Sequence, residues 1–195
     1  MMHETSRLLE AATVLSQCLQ SAGVPHAFYG SVLNAVLSSA PTTDEIYCIV
    51  EGGATHPFKR VRQACAGSKN LTTTPSPWSN RLHVTYHGRI PAIEIEILRA
   101  GEEGPRHLDS TTATLLAGIP FLTISEFLRA KLKAWAIRRL EHDAQDIIYA
   151  LTRYWDRVDI NRIPEQDMRD LVAQYPAASA SWRELRRKYS SRGRT

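Results

Sequence analysis

Leu8, Leu9, Ala12, Leu15 and Leu19 recur at helical spacing and predict an amphipathic helix over residues 5–22, closed by Gly23 and Pro25. A short apolar strand follows at Ala27 to Tyr29. Gly30-Ser31 then opens a second, shorter helix whose buried stripe is Val32, Leu33, Val36 and Leu37, and Ser-Ser-Ala-Pro at 38–41 breaks it. Residues 45–50 (Glu-Ile-Tyr-Cys-Ile-Val) are rich in β-branched and aromatic side chains and predict a buried strand, with a helix over 57–66 after it. Leu71 to Asn80 is rich in Thr, Ser and Pro and reads as the end of a strand followed by a loop. Residues 81–87 and 92–98 both alternate apolar and polar, and Gly88-Arg89-Ile90-Pro91 between them predicts an antiparallel hairpin.

From Ile124 the period changes to that of a helix, with Phe127, Leu128, Leu132, Trp135 and Ala136 on one face. A further helix beginning near Asp143 carries Ile147, Ile148, Leu151 and Trp155. Two more, around 164–174 and 178–189, make the C-terminal third helical. The expected organisation is an α/β core over 1–123, a helical cap over 124–180 and a basic tail over 181–195.

Composition narrows the class without naming a function. An apolar fraction of 43% and a charged fraction of 23% are ordinary for a globular chain, and the first residues lack the unbroken apolar run of a signal peptide or membrane span. The cytosol is the expected compartment. Cys18, Cys48 and Cys65 are odd in number and widely spaced, so they are expected to be reduced and mostly buried. The net charge of +4 is unevenly placed, since residues 181–195 hold six basic side chains (Arg183, Arg186, Arg187, Lys188, Arg192, Arg194) against Glu184. The rest of the chain is close to neutral, so nucleic acid is not the expected partner, and the tail reads as a solvated helix end. His83 and His87 share a strand face at a spacing too long for adjacent ligands, so zinc is not expected.

One ordered set of elements carries more information than composition. Gly23 to Val50 gives helix, strand, Gly-Ser turn, helix and a strand opening with an acid. Ile95-Glu96-Ile97-Leu98 supplies a later acidic strand, and Lys131-Leu132-Lys133-Ala134-Trp135, Arg138 and Asp143-Ala144-Gln145-Asp146-Ile147 follow. Over residues 8–152 this series resembles the minimal nucleotidyltransferases. The resemblance implies an α+β fold, with a mixed β-sheet of the nucleotidyltransferase type, helices packed on it and a helical C-terminal third. It also implies two magnesium ions held by closely spaced carboxylates, because nucleotidyl transfer is chiefly positioning and charge neutralisation. On that pattern Glu45, Tyr47 and Glu96 occupy the three carboxylate positions, and Glu45 and Glu96 are the candidate metal ligands. Gly30, Ser31, Glu94, Lys131 and Arg138 are the candidate substrate-binding residues.

The departure lies at the second acid, which is a phenol here. Tyrosine is neutral at pH 7 and a poor ligand for a hard cation, so at least one metal site is expected to be weakened. Glu45, Glu94 and Glu96 can still gather into an acidic cluster that holds one ion. Plainer roles stand beside each assignment: Ser31 as a helix N-cap, the three glutamates as a solvated strand face, Asp143 and Asp146 as helix-capping acids, and Lys131 and Arg138 as solvated helix charges.

Three functions follow as expectations. In the first, the degenerate cleft binds or transforms a small molecule without two-metal chemistry, in the manner of an isomerase or cyclase, with His26 and Tyr29 as further polar groups. In the second, the protein is an active transferase using magnesium and a nucleoside triphosphate. In the third, it is a non-catalytic interaction or antitoxin-like module. No cofactor is required unless transferase activity is retained, and a membrane partner is not expected.

Overall fold

The computed structural model describes residues 2–38, 44–77, 79–102 and 104–192. Positions 39–41 of the predicted helix break and Arg194 of the tail lie outside them. The chain divides into two compact units, Met1–Leu122 and Thr123–Thr195.

The first unit is built in the order α1 (Met2–Ser21), β1 (His26–Gly30), α2 (Ser31–Ser38), β2 (Ile46–Val50), α3 (Pro57–Cys65), β3 (Leu71–Pro75), β4 (Leu82–Tyr86), β5 (Ile93–Arg99), β6 (Ala113–Leu116) and β7 (Ile119–Leu122). Among the described residues these strands form one seven-stranded mixed sheet in the order β3-β4-β5-β2-β1-β7-β6. β2 runs antiparallel to β1 and parallel to β5, and β1 runs parallel to β7. The expected hairpin is present as β4 and β5, registered Leu82 to Ile97 and Val84 to Ile95.

Period-two alternation assigns the two faces of the sheet. Leu82, Val84 and Tyr86 of β4 are buried, as are Ile93, Ile95 and Ile97 of β5. His83, Thr85, Glu94 and Glu96 between them are not fully buried. The apolar face lies under α1 and α3, where Leu8, Leu15, Leu19, Val61 and Cys65 are buried. Cys48 of β2 and Cys65 of α3 are buried, and Cys18 of α1 is partly so. All three thiols are free. Burial pushes the Cys48 thiol well up and the Cys65 thiol to about 12, so both are inert packing residues.

The hairpin β6–β7 has no counterpart in the expected elements. Its turn places Ala117 and Gly118 at φ +49° and +79°, the two positive values of a tight two-residue hairpin. Ala-Gly is an uncommon pair for that turn, and Pro120 inside β7 argues against a strand when only the sequence is read. β3 likewise extends through Pro75, a proline tolerated because β3 is an edge strand.

The second unit is helical: α4 (Ile124–Arg138), α5 (Glu141–Tyr154), α6 (Glu165–Gln174) and α7 (Ser179–Arg192), joined by short 3-10 turns. Thr123 caps α4 by accepting from the Glu126 amide at 3.3 Å. The Glu126 carboxylate is buried and accepts from Arg162 at 2.6 Å, so it does not close a reciprocal capping box. α4 ends with Arg139 in the left-handed region at φ +53°, its amide donating to the Trp135 carbonyl at 2.8 Å and its guanidinium 4.1 Å above the Trp135 ring. Trp135 is fully buried, as expected, whereas Trp155 is only half-buried in the 3-10 turn after α5. Among the described residues, no helix is long and apolar enough to cross a membrane.

His26, a candidate polar group of the cleft, is instead part of the core at the start of β1. Its Nδ1–H donates to the Val24 carbonyl at 2.8 Å, and its Nε2 accepts from the Ser16 hydroxyl at 2.8 Å. That arrangement needs the neutral ring, and burial holds the imidazole below its ordinary value of 6.5. Above pH 6.5 the ring is neutral folded or unfolded. As pH falls below 6.5 the unfolded chain takes up a proton that the folded chain refuses, so stability must fall. Urea unfolding at pH 7.5 and 5.5 is expected to show a larger loss on acidification for the wild type than for His26→Gln; equal losses would remove His26 from the pH response.

Candidate functional site

Register brings the three carboxylate-equivalent positions to one face of the sheet. Tyr47 of β2 stands opposite Tyr29 of β1 on one side and Glu96 of β5 on the other, and Glu96 stands opposite His83 of β4. Glu45 lies two residues before Tyr47 and Glu94 two before Glu96, so alternation turns all four side chains toward the same side. A cleft of about 380 Å³ opens there, lined by Asp44, Glu45, Tyr47, His83, Glu94 and Glu96, with Arg7 of α1 at its edge.

The turn at residue 30 sets the position of the tyrosine. Gly30 has φ +95°, and a Cβ on it would lie 2.9 Å from Cδ2 of Tyr47 and 3.1 Å from the Glu45 carbonyl oxygen. Only glycine meets both demands, the left-handed backbone and the close approach of the ring. The Tyr47 ring stacks on Tyr29 with centroids 5.0 Å apart and planes inclined by 26°. The Ser31 amide at the start of α2 donates to the Glu45 carbonyl at 3.0 Å, and the Ser31 side chain is buried. That amide, in the candidate substrate-binding turn, ties α2 to the chain leading into β2.

Charge at the cleft is dominated by carboxylates. Glu96 accepts from Arg81 at 2.6 Å, in a pair with 23% and 30% side-chain exposure. Arg7 donates to Glu4 at 2.7 Å and to the Pro91 carbonyl at 3.2 Å. Among the described residues the cleft is lined by four carboxylates and the Arg7 guanidinium, and one of the four, Glu96, is bound by Arg81.

Magnesium requires near-octahedral oxygen ligands, and a two-ion site requires carboxylates shared between the ions. The residues present do not fit that requirement. A phenol stands between the two glutamates, and the third-position carboxylate carries a guanidinium. Among the described residues, no three His, Cys, Asp or Glu side chains come together as a metal-binding group. The expected gathering of Glu45, Glu94 and Glu96 into a cation site is thus corrected to a common face without a ligand cluster.

Lys131 and Arg138 lie in the second unit. The Lys131 ammonium is 4% exposed, 3.0 Å from Asp146 and 3.4 Å from Asp143. Arg138 donates to both oxygens of Asp143 at 3.2 and 3.0 Å, and His142 lies 3.5 Å away. Asp143 is fully buried and Asp146 nearly so. Neither acid caps α5, whose N-cap is Leu140 without a side-chain bond. The K-L-x-A-W and D-x-x-D elements are therefore two halves of one buried charge network. Lys131 is enclosed by it, while Arg138 keeps about half of its surface.

No protein-family model and no curated protein matches the sequence. Solved structures do. An antigenic nucleotidyltransferase-like protein from Paracoccidioides brasiliensis superposes with a TM-score of 0.63 at 16% identity, over 90% of this chain and 92% of that one. JHP933 from Helicobacter pylori superposes with a TM-score of 0.58 at 13% identity, over 98% of this chain and 96% of that one. At this level of identity the likeness establishes the fold: the chain has the nucleotidyltransferase fold.

Two stability measurements test this description. Gly30→Ala is expected to cost on the order of 2 kcal/mol or more by chemical denaturation, because strain and the Tyr47 contact act together. Gly23→Ala, at φ +67° with nothing within 4 Å of the added methyl, carries only the backbone penalty of about 1 kcal/mol. Equal losses would mean that Tyr47 imposes nothing on residue 30. Lys131→Met is expected to lose about 3 kcal/mol by removing the buried ammonium that Asp143 and Asp146 share, and an unchanged unfolding midpoint would show the network to be dispensable.

Proposed function

On the nucleotidyltransferase fold, we propose that the cleft beside Tyr47 binds and transforms a small molecule without two-metal chemistry. The observation that carries this is the Tyr47 ring itself, held against Gly30 and Tyr29 in the place of a ligand carboxylate. The excess of carboxylates over guanidinium groups supports the same conclusion. Without a bound cation, a polyanionic triphosphate would meet repulsion there, whereas a neutral or positively charged molecule would not.

The residues suit proton movement within a bound substrate. Glu45 and Glu94 are the proton acceptors, and the Tyr47 phenol is a hydrogen-bond donor to a carbonyl or hydroxyl oxygen. Glu96, held by Arg81, fixes the floor beside the phenol. Gly30, which precedes Ser31 in the turn, admits the Tyr47 ring and so sets where the phenol stands. An isomerisation or an intramolecular cyclisation needs no more than an acid and a base placed on either side of the reacting carbon.

The competing function is transfer from a nucleoside triphosphate with magnesium, favoured by the shared face of Glu45 and Glu96. Thermal shift separates the two, since a ligand selective for the folded state at 100 times its Kd stabilises by about 2.7 kcal/mol. A panel of small polar metabolites screened in EDTA is expected to contain one that raises Tm, and Tyr47→Phe and Glu96→Gln are expected to abolish that shift while their own Tm stays near wild type. A shift seen only with magnesium plus a nucleoside triphosphate would replace the proposal with its competitor.

A further inference from the structure

The six basic residues of 181–195 read in sequence as a solvated helix end, but the fold gives Arg183, Arg186 and Arg187 a common groove. α7 is an ordered helix whose apolar side, Trp182 and Leu185, is buried within the second unit. Packing that side turns Arg183, Arg186 and Arg187 toward one groove, which Ser179 and Ser190 border at its two ends and which has a volume of about 390 Å³. From residue 179 to residue 190 the helix rises about 16 Å, long enough to follow several consecutive phosphates of a strand.

The charge of the groove is only partly cancelled locally. Arg187 pairs with Glu184, and Arg186 lies 3.9 Å from Glu165. Glu165 accepts from Arg169 at 2.6 Å, so its charge is shared between two guanidinium groups. Both groove pairs involve exposed side chains, and pairs of this kind are weak and readily exchanged for a stronger anion. Three planar guanidinium forks with hydroxyls at either end are a donor set for phosphate oxygens.

We propose that this groove docks the phosphodiester backbone of a single-stranded nucleic acid, independently of the chemistry in the cleft beside Tyr47. A nucleic-acid strand fits better than a lipid surface. A helix that lies on a membrane presents large apolar side chains outward, whereas the one large apolar residue lining this groove, Trp182, is 5% exposed and cannot insert. Contact is to the backbone, so binding is insensitive to sequence and strongly dependent on salt.

The test uses the full chain and a fluorescein-labelled 20-residue oligouridylate, followed by fluorescence anisotropy between 50 and 200 mM salt. Three phosphate contacts predict a log–log slope of about −2 for a single strand. The variant Arg183→Gln/Arg186→Gln/Arg187→Gln is expected to bind at least about tenfold more weakly and with a slope close to zero. If the circular dichroism of the triple variant departs from wild type, Arg183→Gln alone is read instead, with the slope reduced in magnitude by about 0.7. Absence of binding at 50 mM salt, equal affinity and slope in wild type and variant, or binding only to phosphatidylserine vesicles would each overturn the proposal.

Discussion

The contact between Gly30 and the ring of Tyr47 governs the site half of the sheet. With φ at +95° and an aromatic carbon where its Cβ would be, residue 30 ends β1, starts α2 and admits the ring at once. The Ser31 amide then closes onto the Glu45 carbonyl, which fixes the entry into β2. Once β2 is placed, its parallel pairing with β5 places Glu96 beside Tyr47. A cleft results whose floor is aromatic and whose rim is acidic.

That arrangement separates what the fold places from what the side chains can do. The positions that resemble a two-ion site share a face because strand register leaves no alternative. What the face can hold depends on the groups themselves, and a phenol on a tyrosine stack beside a guanidinium-bound glutamate favours hydrogen bonding over ion coordination.

Charge is handled differently in the helical unit. There Lys131, Asp143 and Asp146 are drawn inward, the half-exposed Arg138 closes over Asp143, and the group links α4 with α5. Buried charges of this kind are tolerated only when every member has a partner, so they specify an arrangement more than they add stability. α7 follows the opposite course, burying its apolar side and leaving its arginines on the surface. Two helices of the same unit thus use basic residues in opposite ways, and the difference is whether an acid lies within reach in the core.

Much of the fold is legible in the chain, because hydrophobic period reports burial directly. The amphipathic α1, the buried β2, the β4–β5 hairpin and the four helices after Ile124 all follow from where Leu, Ile and Val fall. That 45 shares a face with 47, and 94 with 96, also follows, since alternation along a strand is local; the pairing of β2 with β5 joins the two pairs. Less legible were β6 and β7, where Ala117-Gly118 and Pro120 are atypical for the turn and strand that tertiary pairing imposes on them. Only the folded chain decided that His26 is a neutral core residue, that Lys131 is enclosed by Asp143 and Asp146, that Glu96 is tied to Arg81, and that the arginines of α7 border one groove. Each of these depends on a partner brought from elsewhere in the chain, and local periodicity carries no information about which distant side chain will arrive opposite a given charge.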